Sequence, residues 1–72
     1  MTELQTNKTR GMEVSSPTFG PIHLTWEQKH GVWFIINAHQ NGLSCLHLFR
    51  EVQTEPSFKA FCRRSQATYR WV

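Results

Sequence analysis

An Asn-Gly pair at positions 41 and 42 constrains this chain more than any other feature. It sits between two runs, Val32-Trp33-Phe34-Ile35-Ile36-Asn37-Ala38 and Leu43-Ser44-Cys45-Leu46-His47-Leu48-Phe49. Both runs are rich in β-branched and aromatic residues, and Asn-Gly suits a type I′ turn, which needs positive φ at both central positions. The pattern predicts a β-hairpin with Asn41 and Gly42 at its tip.

A third strand is expected just upstream. Over residues 22–28, Ile22, Leu24 and Trp26 alternate with His23, Thr25 and Glu27, the period of a half-buried strand. His30-Gly31 then reads as a tight turn into the strand that begins at Val32. With both turns fixed, Ile35 faces Leu48, Asn37 faces Leu46, Trp26 faces Ile35 and Leu24 faces Asn37. One side of the sheet gathers Leu24, Trp26, Trp33, Ile35, Leu46 and Leu48, the expected core. The other side carries His23, Thr25, Glu27, Phe34, Ile36, Cys45, His47 and Phe49, more apolar than a plain solvent face.

A helix is expected over residues 56–65 as the lid on that core. Thr54 stands at the cap position, Pro56 lies in the first turn where its missing N–H costs little, and Glu55 suits the positive end of the helix dipole. Phe58, Phe61 and Cys62 fall at i, i+3 and i+4, which makes one apolar stripe. The last residues, 66–72, fit either a continued helix or a short strand. Thr68, Tyr69, Trp71 and Val72 favour the strand. Residues 1–16 are polar and without periodicity and read as a flexible tail, so residues 17–72 form the single small domain. The fold class expected is α+β: a three-stranded antiparallel meander packed against one C-terminal helix (βββα), with a short fourth strand as an option at the end.

Size limits what such a domain can do. A chain of 72 residues builds one core, and 39% hydrophobic with 18% charged residues argues against full disorder. Three Trp, five Phe and one Tyr are many rings for that core, so some are expected to serve a surface. No run approaches the ~20 apolar residues of a membrane span and no apolar signal core is present, so a cytoplasmic location with reduced thiols is the default reading.

Candidate chemistry is sparse. Four His and two Cys raise the question of metal, and Cys45-x-His47 would share a sheet face with His23. His23 would then lie across the middle strand, on the order of 10 Å away, too far for ligands that must meet within about 2.3 Å of one ion. No metal site and no cofactor are expected. Phosphate loops, paired carboxylates and nucleophile elbows are missing from the sequence, and a domain this small leaves little room for a cleft, so neither an enzyme nor a small-molecule substrate is expected.

Two binding readings remain. Phe34, Ile36, His47 and Phe49 on the second sheet face would form an exposed patch for a protein partner, either another copy of the chain or a larger protein. The alternative is nucleic acid, contacted by a basic and aromatic C-terminal segment made of Lys59, Arg63, Arg64, Tyr69, Arg70 and Trp71. The net charge of +3 permits either. The reading preferred from sequence is a small non-enzymatic binding or accessory protein acting by protein–protein interaction.

Overall fold

The computed structural model describes residues 8–72. It is an α+β fold in two layers, one antiparallel sheet of five strands with one α-helix on one face. The strands are β1 (Lys8–Ser15), β2 (Ile22–Lys29), β3 (Val32–Gln40), β4 (Leu43–Ser44) and β5 (Thr68–Trp71), and α1 spans Glu55–Ser65. A 3₁₀ helix, Leu46–Phe49, follows β4. The sheet order is β4-β3-β2-β1-β5, so α1 carries the chain from one edge of the sheet to the other. Among the described residues no helix is long and apolar enough to cross a membrane.

Both expected turns form. His30 and Gly31 have φ of 54° and 79°, and Asn41 and Gly42 have 54° and 80°. Trp26 stands opposite Ile35, as the register required. The ladder then slips between Thr25 and Trp26, so Thr25 pairs with Asn37 and Leu24 with Ala38 rather than with Asn37. This bulge in β3 lets Ile35 and Ala38, three residues apart, both point into the core, where alternation alone would turn one of them away.

The second half of the expected hairpin is the larger departure. Its return strand is only two residues long, pairing His39 with Ser44 and Gln40 with Leu43. The Cys45 N–H closes the ladder on the Ala38 carbonyl, and the Leu48 N–H then bonds back to the Cys45 carbonyl in the 3₁₀ helix. Leu48 is thereby 52% exposed instead of buried opposite Ile35. Phe49, expected on the second face, is 1% exposed and sits in the core. Its ring packs against Phe58, Phe61 and Phe19 at centroid distances of 6.2, 5.8 and 6.5 Å. Burying that ring among three others outweighs extending a ladder on an edge strand.

The expected tail is corrected over residues 8–15. They form β1, which pairs with β2 along its length and with β5 from Met12 to Ser15. Met12 and Val14 point into the core while Thr9, Glu13 and Ser15 are exposed. Residues 1–7 of that expected tail lie outside the described residues. The link to β2 is a tight turn in which Thr18 and Phe19 N–H groups donate to the Ser16 hydroxyl, each at 3.1 Å. Gln40 of β3 clamps this turn by donating its side-chain amide to the carbonyls of Phe19 and Pro21.

The lid forms where expected. Thr54 has extended backbone geometry, and its hydroxyl bonds the Ser57 hydroxyl at 2.9 Å rather than capping a backbone N–H. Gln66 ends α1 in the left-handed region at φ 58°, and the Ala67 N–H returns to the Cys62 carbonyl, so a Gln fills a position usually held by Gly. That reversal releases residues 68–71 as β5 instead of a longer helix. Phe58 and Cys62 of α1 are buried on Trp26, Leu24, Met12 and Ile35 in one core.

Candidate functional site

Among the described residues α1 covers only one side of the sheet, and nothing covers the opposite face. Strand alternation places Val32, Phe34 and Ile36 of β3 on that face, beside Thr25, Glu27 and Lys29 of β2. Ile36 is 43% exposed, Val32 is exposed and Phe34 is half-buried. The apolar side chains thus form one stripe along β3 with a polar stripe next to it. Phe34 also bridges Thr54, and the Ile35 N–H bonds the Gln53 carbonyl, so the segment before α1 props the outer edge of β3.

A polar row crosses the same face at the other end of the sheet. Successive cross-strand partners are Arg70, Glu13, His23, His39 and Ser44, one from each strand. The Arg70 guanidinium donates to the Glu13 carboxylate at 2.9 Å, on exposed side chains. The His23 imidazole leans over Gly11, where a Cβ would come within 3.1 Å of its Cε1. A depression of about 610 Å³ includes Glu13, His23, His39 and Arg70 among its walls.

Of the four residues expected to bind protein, the structure keeps two together. Phe34 and Ile36 share the uncovered face. His47 is exposed on the 3₁₀ helix, away from that stripe, and Phe49 is in the core. The cause is the early end of β4, since only a full return strand would have brought residues 47 and 49 beside residues 34 and 36.

The six residues of the basic segment are divided between the two sides of the sheet. Tyr69 and Trp71 lie on the α1 side: Tyr69 packs edge-on to Phe58 at 5.7 Å, and Trp71 packs on Trp26 and Trp33 at 5.5 and 5.7 Å. Arg10 of β1 caps this aromatic row, 4.6 Å above the Trp71 ring. Arg70 points to the uncovered side, paired with Glu13. Lys59 pairs with Glu55 at 3.3 Å within α1, while Arg63 and Arg64 are exposed in its last turn. Of the six, only Arg70 therefore leaves the α1 side.

The thiols of Cys45 and Cys62 are both free and buried, and burial raises each above its ordinary pKa. Among the described residues no group of three or more His, Cys, Asp or Glu side chains could hold a metal ion. Sequence reasoning missed Val32 and the five-strand row. Val32 was legible from the alternation it shares with Phe34 and Ile36, but the row needs β1 and β5 as neighbours, and no local pattern reveals that. No protein-family model matches this chain, and no curated protein or solved structure matches it either.

Proposed function

We propose that this chain is a small non-enzymatic binding protein of the cytoplasm whose partner is a second copy of itself, docked on the uncovered sheet face. The observation that carries the reading is the apolar stripe of exposed Val32 and Ile36 with half-buried Phe34 between them, on a sheet that, among the described residues, a helix covers on one side only. An uncovered sheet face usually alternates to polar groups, and apolar side chains left there gain roughly 1.5–3 kcal/mol each when fully buried.

Charge favours self-docking over nucleic acid. The uncovered face carries Lys29 and Arg70 against Glu27 and Glu13, with ion pairs at 3.6 and 2.9 Å. Such a balanced face is self-complementary under a two-fold axis and offers phosphates no net positive field. The non-enzymatic part of the reading is supported by the burial of both thiols, which keeps them from meeting a substrate.

Light scattering at two concentrations tests the reading. The mass should rise with concentration from 8.5 kDa toward twice that value, and Phe34→Ser with Ile36→Ser should keep the chain monomeric with its circular dichroism unchanged. A wild-type chain that stays monomeric at the higher concentration would remove the proposal.

A further inference from the structure

On the other side of the molecule, the 3₁₀ helix and the last turns of α1 enclose a cleft of about 510 Å³. Its apolar part is Leu48, Val52 and Phe61. Phe61 stacks on Phe19 at 6.0 Å and meets Phe49 edge-on, so its ring is fixed as part of a wall. Leu48 is half out of the protein, held there because the 3₁₀ turn closes on the Cys45 carbonyl. An aliphatic side chain displayed this way beside a concave surface has contacts to gain from an incoming apolar group.

The rim is charged with one sign in excess. Arg50, Arg64 and His47 stand around the cleft, and among the described residues Glu51 is the only carboxylate in its lining. Among the described residues, neither guanidinium takes part in an ion pair, in contrast to Arg70, Lys59 and Lys29. Unpaired guanidiniums over an apolar floor suit a ligand that brings carboxylates and an apolar side chain together.

We propose that this cleft is a second, independent binding site, for an acidic peptide segment of a protein partner in which carboxylates flank an aliphatic or aromatic side chain. The anchor enters between Leu48 and Phe61, and the flanking carboxylates meet Arg50 and Arg64. Nucleic acid fits less well. It has no aliphatic side chain to place on the floor, and stacking on Phe19 already takes one face of the Phe61 ring. The site lies on the α1 side, so it does not depend on self-docking through β3.

The test is fluorescence anisotropy with the full chain and a labelled peptide, Asp-Leu-Glu-Phe-Asp-Leu, against its uncharged counterpart Asn-Leu-Gln-Phe-Asn-Leu. The acidic peptide should bind more tightly, and more weakly as salt rises. Arg50→Glu with Arg64→Glu should weaken it by about tenfold or more, and Leu48→Ser should weaken it separately, while Arg63→Glu, outside the cleft, should change it by no more than about twofold. If the charge reversals disturb the circular dichroism, Arg50→Gln with Arg64→Gln replaces them. Equal binding of the uncharged peptide, or an Arg63→Glu loss as large as that of the double variant, would overturn the proposal. So would a labelled oligothymidylate that binds more tightly than the acidic peptide and is released by the same double variant. The Phe34→Ser variant should bind the peptide like wild type, which separates this site from the self-docking face.

Discussion

The indole of Trp26 and the ring of Phe58 meet edge to face, with 5.3 Å between centroids and 80° between planes. Both side chains are fully buried, and this contact fastens α1 to the middle strand of the sheet. Phe49 completes the cluster from the 3₁₀ helix. Phe58→Ala and Phe49→Ala should each cost about 3–5 kcal/mol, enough to unfold much of so small a domain at 37 °C. Trp26→Phe should cost less, because the Trp26 Nε1 has no hydrogen-bond partner among the described residues, and removing an unsatisfied buried donor recovers about 1–3 kcal/mol of the lost packing. Urea midpoints of the three variants check the order. Wild-type stability in Phe49→Ala would mean that this ring is a surface group after all.

The two hairpin corners share one geometry but not one sequence. At the first, His30 holds the positive φ that Asn41 holds at the second. Asn tolerates this conformation better than His, so His30→Asn should stabilise the domain by about 0.5 kcal/mol and leave the fold unchanged. Thermal denaturation reads the gain, and a lower melting temperature would count against the turn as described.

Alkaline pH should loosen the domain through its thiols. Burial raises both Cys45 and Cys62 above the ordinary value of 9.0, so in the folded chain they hold their protons longer than in the unfolded one. Their contribution is fully present below that ordinary value. As pH rises past it the unfolded chain loses protons first, and stability falls until the folded pKa is passed. The drop in urea midpoint between pH 8 and pH 10 should be smaller in Cys62→Ala than in wild type, whatever the starting stability of the variant. At pH 8 both thiols should react slowly with a thiol reagent until urea unfolds the chain.

The shortest ion pair should matter least. Arg70 and Glu13 are 2.9 Å apart, yet both side chains are more than half exposed, so water screens the pair. Glu13→Gln should shift stability by less than about 0.5 kcal/mol. A larger loss in a denaturation curve would show that the polar row across the five strands is coupled.

Where residues were close in sequence, the fold was legible. Asn41-Gly42, His30-Gly31 and the Phe58–Phe61–Cys62 stripe each encode their own geometry, and Trp26 opposite Ile35 followed from turn counting. What failed needed information from far along the chain. β1 shows only Met12 and Val14 as inward apolar residues, too few to reveal a strand whose two partners arrive later. Cys45 to Phe49 alternates like a strand, but Phe49 gains more from Phe58 and Phe61 than from a ladder, and that choice depends on where α1 comes to rest. The candidate site suffered the same way: Phe34 and Ile36 survive because β3 is held along its length by β2, whereas His47 and Phe49 moved with the segment that left the sheet.

The adjacency of β1 and β5 also sets an order of events. The two hairpins join residues near one another in the chain and can close within microseconds, but the Glu13–Arg70 contact spans 57 positions and must wait for α1 to swing the chain over the sheet. During synthesis the long flank of β1 therefore stays without its outer neighbour until the final strand emerges. In that interval it is an open template for strands of other nascent chains.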